Sequence, residues 1–320
     1  MKRFFKVFLI LGLVLTVLGG AIFTVAMSVN GWDFSTFSSH EIVKKTDEIT
    51  DFDEITSIKV SASVADVKLL YHSEQKITVE GFDVKSKRNG KIKRSTNASV
   101  DGNVLSVSQT ADLKQIFETG TLGNEEIIIR LPIGKTVSFS VSLSTGDVTI
   151  GEQGKSCQIS SITVSVSTGD VKINASVESD AVQVTSSTGD FTLNGSLSCK
   201  TLKIETDTGK TYINGMLTAD RVEREADTGD MLINASIIAG EISLESSTGQ
   251  VKCSAYITAN KIDIETSTGD VTLKLLGAKD DYSYIYELST GDSNISSYIS
   301  GERMIKVEAS TGDVKIYFER

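Results

Sequence analysis

Proline is nearly missing: the 320-residue chain has one, Pro132, where average usage predicts about sixteen. Histidine occurs twice, at His40 and His72, and cysteine three times. That leaves little material for a zinc site, which needs several such ligands close together. Positive charge is also short, with 32 Lys and Arg against 42 Asp and Glu. An acidic chain is a poor nucleic-acid binder, because phosphate contacts need basic residues in excess. Aromatics make up 7%. No Gly-x-Ser-x-Gly, phosphate loop or metal-spaced histidine pair occurs, so no enzyme or cofactor is expected. Glycine, at 26 residues, is not depleted. A chain with normal glycine and almost no proline makes its turns one way, repeatedly.

The glycines show how. Thr-Gly recurs with glycines at 146, 169, 189, 209, 229, 249, 269, 291 and 312, at intervals of 20 to 23 residues. Apolar columns keep the same clock. Five residues before the glycines stand Val141, Val164, Val184, Ile204, Arg224, Leu244, Ile264, Tyr286 and Val307. Four after stand Ile150, Ile173, Leu193, Ile213, Ile233, Cys253, Leu273, Ile295 and Ile316. Within each unit apolar and polar residues alternate, the period of a strand. One such unit cannot bury its apolar face alone, but stacked units bury a continuous core. The fold class expected is all-β: a parallel β-solenoid of about 20 residues per coil, with nine coils rising about 43 Å at about 4.8 Å each. Proline is scarce because a solenoid strand has partners on both sides. Asn174, Asn194, Asn214 and Asn234 form a second corner column, expected as an asparagine ladder. Residues 55–70 read as a degenerate first coil turning at Ala65. The last strand, Val314 to Phe318, has no cap in the sequence and is expected as an open edge, a route to end-to-end self-association.

Four segments follow. Residues 1–29 form a basic tip and an apolar run; 30–54 a linker; 55–144 irregular first coils or a capping β region; 145–320 the regular solenoid. Residues 7–29 carry no charge, and Lys2, Arg3 and Lys6 precede them. That length spans a bilayer core of about 30 Å, and the flanking charges keep the N-terminus cytoplasmic and send the rod outside. A cleaved signal would have an apolar region of about 7 to 15 residues, although Thr24-Val25-Ala26 leaves a cleavage site open. Net charge divides into +3 on 1–29, −2 on 30–144 and −11 on 145–320. A basic-tailed single-pass anchor thus carries an acidic rod, whose expected partners are the membrane and an envelope protein or wall polymer.

Three groups are candidate chemistry. Asp147, Asp170, Asp190, Asp230, Asp270, Asp292 and Asp313 follow the turn glycines, and Glu205, Glu225, Glu245, Glu265, Glu287 and Glu308 stand four before them. Each Asp is expected to accept its own turn's N–H; the rival reading is a divalent-cation ladder. Lys85, Lys87, Arg88, Lys91, Lys93 and Arg94 flank Asn89-Gly90, a type I′ hairpin signal. They form either a solvated edge or a polyanion-binding site for lipid headgroups or wall teichoic acid. Cys157, Cys199 and Cys253 fall in inward columns and are expected as buried free thiols. Arg224 interrupts an apolar column; a bulge turning it outward is expected, since burying it would cost several kcal/mol.

The N-terminal apolar run, the Ile55-x-x-Ile58-x-Val60 start, the Leu131-Pro132-x-Gly134 element and the Ser-Thr-Gly-Asp-Val repeats together resemble one family, the bacterial LiaG-like "putative adhesin" β-strand repeat proteins. The resemblance covers about residues 50 to 320. It implies a single-stranded right-handed β-helix at the cell envelope of Gram-positive bacteria, often beside envelope-stress or small-regulator genes, with no established catalytic residues. The function expected is a non-enzymatic envelope-stress or regulatory accessory protein. The alternatives are a surface adhesin or a self-assembling structural rod.

Overall fold

A computed structural model describes residues 28, 40–111 and 125–319. Apart from residue 28, the apolar run 7–29 and the first part of the 30–54 linker lie outside that range. Among the described residues no helix is long and apolar enough to cross a membrane.

The chain is a β-solenoid of about nine turns. The strands are β1 (His40–Ile49), β2 (Ser57–Val64), β3 (Asp66–His72), β4 (Ile77–Ser86), β5 (Ile92–Asp101), β6 (Val104–Ala111), β7 (Glu126–Pro132), β8 (Val137–Thr145) and β9 (Val148–Ile150). The regular coils follow as long and short strands in pairs: β10 (Ser156–Thr168) with β11 (Val171–Ile173), β12 (Ser176–Thr188) with β13 (Phe191–Leu193), and β14 (Leu197–Thr208) with β15 (Thr211–Ile213). Next come β16 (Leu217–Thr228) with β17 (Met231–Ile233), β18 (Ile237–Thr248) with β19 (Val251–Cys253), and β20 (Ile257–Thr268) with β21 (Val271–Leu276). The chain closes with β22 (Tyr282–Thr290), β23 (Arg303–Thr311) and β24 (Val314–Glu319).

Long strands stack on long strands and short on short, all parallel, with each column in register: Val164 on Val184 on Ile204, and Ile173 on Leu193 on Ile213. Every short strand of the regular coils buries its first and third residues and turns its second outward. One core runs the length of the stack, and each fully buried Val, Leu or Ile in it is worth about 1.5–3 kcal/mol.

At Gly229 the corner after the long strand needs glycine for two reasons. Gly229 has φ of +146°, and a Cβ there would lie 1.8 Å from the carbonyl oxygen of Gly209. Positive φ is cheap only for glycine, and the stacked backbones leave no room for a side chain.

The two ends depart from the linear order. Ala65 stacks directly on the Gly146 coil, 81 residues away in sequence. β2 lies between β6 and β8, and β3 between β7 and β9. The intervening chain is a cap: β4 runs antiparallel to β1, β5 and β7, and β5 antiparallel to β6. The second half of the 30–54 segment is therefore not a linker, because β1 hydrogen-bonds along its full length to β4. From β1 through β4, β7, β3 and the short strands to β24, twelve strands lie side by side. At about 4.8 Å each they span about 53 Å.

At the other end the coil order is inverted. β20 pairs with β23, and β23 with β22. The last coil in sequence is inserted beneath the one before it, so Gly269 donates to Thr311 and Gly312 to Thr290. The edge expected to be open at Val314–Phe318 is covered only in part. β24 pairs with β21 on one side, and Asn294 covers part of the other, its Oδ1 accepting from Ile316 N and its Nδ2 donating to Ile316 O. The outermost strand is β22, itself partly covered where Tyr284 and Tyr298 exchange backbone hydrogen bonds of 2.7 and 2.9 Å. Tyr282, Tyr284, Tyr298 and Phe318 close the end of the core with ring centroids 5.5 to 5.9 Å apart.

Candidate functional site

The corner aspartates form a ladder between coils, not the turn-internal bonds expected from sequence. Asp66 Oδ1 accepts from Asp147 N at 2.9 Å, Asp147 Oδ1 from Asp170 N, and Asp170 Oδ1 from Asp190 N. The backbone N–H of each new coil reaches the carboxylate below, because identical turns place them one strand spacing apart. Lys210 and Gln250 accept the same role as donors, to Asp190 and Asp230. At the inverted end the ladder follows space: Asp313 N donates to Asp270, and Asp292 N to Asp313. Burial pushes the Asp170 carboxyl up, but the Asp190 N–H and the Lys172 ammonium outweigh it and hold the group below the usual range. Asp230 behaves alike, with Lys210 and the Gln250 N–H opposing burial. One oxygen of each ladder carboxylate except that of Asp292, the last rung, is thus already committed to backbone. Among the described residues no group of three or more His, Cys, Asp or Glu side chains is arranged to hold a metal ion.

The asparagine corner is also a ladder: Asn194, Asn214 and Asn234 each donate Nδ2 to the Oδ1 below at 2.8 to 3.0 Å. On the outer face Glu205, Glu225, Glu245, Glu265, Glu308 and Glu287 stack in that order. Around the last three a shallow trough of about 300 Å³ runs beside Ser267, Ser310 and Ser289.

A second groove, of about 410 Å³, lies where the turn at Gly134 and Tyr71 overhang the starts of β10, β12 and β14. Its floor is the column Ser156, Ser176 and Ser196, and Met216 flanks it. Sequence reading missed this groove, because Tyr71 on its wall lies 85 residues before Ser156 on its floor. Tyr71 Oη donates to Gln158 O at 3.4 Å. Burial, and then the neighbouring Cys157, raise the phenol above its ordinary value.

The hairpin joins β4 and β5 through a turn at 87–91, with Gly90 at φ +66° and Lys91 N donating to Asn89 Oδ1 at 3.1 Å. Lys87, Arg88 and Lys91 are exposed and Lys85 and Lys93 half-buried. Arg94 does not belong with them. Its side chain is 11% exposed and paired with Glu125 Oε1 at 2.5 Å, so it secures the cap.

Arg224 is a second correction. It is 2% exposed, and no bulge turns it outward, since β16 stays in register with both neighbours through this residue. Nε donates to Thr211 Oγ1 at 3.3 Å and Nη2 to Gly229 O at 2.7 Å. Ala226, small and buried, follows two residues later on the same face. Burial pushes the guanidinium down to about 10, against the pull of Asp230. It therefore stays charged at neutral pH. A buried charge held by neutral acceptors is weaker than well-packed apolar groups. Arg224→Leu with Thr211→Val should raise unfolding stability by about 1–4 kcal/mol. Thr211→Val alone should lower it by about 1–3 kcal/mol by leaving the guanidinium short of an acceptor. Urea melts of the three variants check this; a double variant weaker than the parent would show that Arg224 stabilises the core.

The three cysteines are free; Cys157 and Cys253 are buried, whereas Cys199 is only half-buried. Cys199 stacks between half-buried Ser179 and buried Ala219 near the edge of the core. Burial pushes the Cys157 thiol up to about 11. Burial, then Asp220, pushes Cys199 up to about 12. The folded state holds these protons more tightly than the unfolded state, whose thiols ionise near the usual value of about 8.5. Stability from this source is complete below that pH and declines as pH rises toward 11 and 12. Cys157→Val with Cys199→Ala, the residues their columns hold at Val177 and Ala219, should flatten that decline. Urea midpoints measured across the alkaline range test this.

The chain is similar to one family and to several solved structures. The Toastrack DUF4097 family matches residues 55–317. Among curated proteins none matches the chain. A crystal structure from Bacteroides fragilis, described as a "putative adhesin", is similar over 86% of this chain and 97% of its own, at 16% identity and a TM-score of 0.43. One from Clostridium sporogenes, described as a "putative cell adhesion protein", is similar over 88% and 100%, at 14% identity and a TM-score of 0.24. A third, from Parabacteroides distasonis and also described as a "putative adhesin", covers 86% and 97% at 9% identity and a TM-score of 0.36. With four-fifths of its length matched by one family, the chain belongs to the Toastrack DUF4097 family.

Proposed function

We propose that the protein is a non-enzymatic binding rod of the cell envelope, held to the membrane by residues 7–29 and engaging a macromolecular partner along its sides. The observation that supports this most is the register. Every outward position repeats at about 4.8 Å along the stack, giving extended columns of serine, glutamate and aspartate. Such combs suit long partners, whether an extended protein segment or a wall polymer. The grooves are shallow and lie along the columns, and the 20-residue coil intervals between 169 and 269 leave no long loops there to build a reaction centre. A rod of about 53 Å on a ten-residue tether stays close to the membrane, which favours an accessory protein with near-membrane partners over an adhesin reaching outward. Cross-linking from groove positions in intact cells, with identification of what is captured, tests the reading. Capture of membrane proteins or wall polymer is expected; capture of external matrix ligands alone would replace it with the adhesin.

A further inference from the structure

We propose that the tip of the β4–β5 hairpin docks on the anionic lipid headgroups of the same membrane that residues 7–29 enter. The inference rests on the anchor reading above and deepens it.

The strand pairing carries it. β1 is the outermost strand at the N-terminal end, and its first residue, His40, lies opposite Ser86, the last residue of β4. The turn at 87–91 begins at the next residue. The path from the apolar run to the rod therefore arrives beside the hairpin tip. Residues 30–39 are the whole connection, and ten residues span at most about 36 Å. The tip cannot stray far from the surface the chain leaves.

Charge sets the orientation. Lys87, Arg88 and Lys91 are exposed at the turn, with Lys85 and Lys93 behind them, and the stretch from Lys85 to Arg94 contains no acid. Glu41, opposite Lys85, is the nearest acidic residue on β1, and Lys44 and Lys45 follow it. Arg94 is excluded by its pairing with Glu125. The solenoid from 145 to 320 carries −11 and is repelled by an anionic surface. Attraction at one corner and repulsion along the rest hold the rod tip-down, with its free end away from the bilayer. Screening confines the attraction to about 8 Å at physiological salt, a range the protruding turn reaches and the coils do not.

The test uses the full chain reconstituted into vesicles of phosphatidylcholine, with or without phosphatidylglycerol. The native cysteines are replaced by their column residues (Cys157→Val, Cys199→Ala, Cys253→Ile). A fluorophore is placed at Asn89→Cys, or at Ser296→Cys near the far end, with a quencher on the headgroups. Quenching at 89 that requires phosphatidylglycerol, with none at 296, is the expected result. Glutamine at Lys85, Lys87, Arg88, Lys91 and Lys93 should weaken it about fivefold per residue, with melting temperature confirming the fold. Vesicle flotation without quenching at 89, or equal quenching in both lipids, overturns the docking while leaving the anchor intact. Failure to float overturns the anchor and the docking with it. A label at 89 that responds to soluble glycerol-phosphate polymer but not to phosphatidylglycerol overturns it in favour of a wall polymer.

Discussion

Valine at Gly229 should unfold the middle of the rod. The Cβ would meet the Gly209 carbonyl at 1.8 Å, and the backbone is at φ +146°. Neither coil can yield, because Gly229 N also donates to Thr248 O and the corner is tied on both sides. Gly154 is the control. Its φ is +76°, with no atom within 4 Å of where a Cβ would stand, so Gly154→Ala bears only the conformational cost of about 1–2 kcal/mol. Gly229→Val should exceed about 4 kcal/mol, the range reserved for severe steric or core defects. Chemical melts of both variants decide the matter; similar losses would mean the corner tolerates side chains and that its glycines serve φ alone.

Ending the chain at Glu302 should be nearly as damaging as ending it at Leu276. Removing 303–320 takes away β23 and β24, with buried Ile305, Val307, Val314 and Ile316. Those four side chains alone represent about 6–12 kcal/mol of burial, as much as a typical domain's whole stability. It also strands β22, whose strand partner is β23. Residues 277–302 then have little to pack on, so keeping them adds little. Hydrogen exchange should show the end of the rod open in both truncations while the coils from 171 to 248 stay protected, since solenoid coils depend on their nearest neighbours. A 302-residue chain clearly more stable than the 276-residue chain would show β22 able to pair with β20 directly.

The regular coils were legible because each residue's role repeats. Val164, Val184 and Ile204 declare one column, and no single substitution hides it. Where the structure departs from the sequence reading, the cause is a contact that periodicity does not encode. Arg224 was expected outside because a buried charge is costly; its acceptors, Thr211 Oγ1 and Gly229 O, occupy ordinary column positions. Arg94 looked like one of six basic residues, and its partner Glu125 is 31 residues on. β1 offers only weak alternation and gains its order from β4. The inverted end left one trace. Tyr286 takes a place that aliphatic residues hold in most other coils, as suits a coil with nothing stacked beyond it. The order itself was hidden, because the 291 and 312 coils carry the same columns and either would fit upon β20.

That interchange has a consequence for how such a rod can change length over evolutionary time. Between 169 and 269 every interval is 20 residues and every coil has identical neighbours, so a duplicated unit could enter there and find all its partners. Neither extremity allows this. One is sealed by the cap that β4 and β5 form with β1, β6 and β7, and at the other the last coil in this sequence is the penultimate coil in space. The molecule is modular in its middle and bespoke at its ends, so its lineage can lengthen or shorten it only from within.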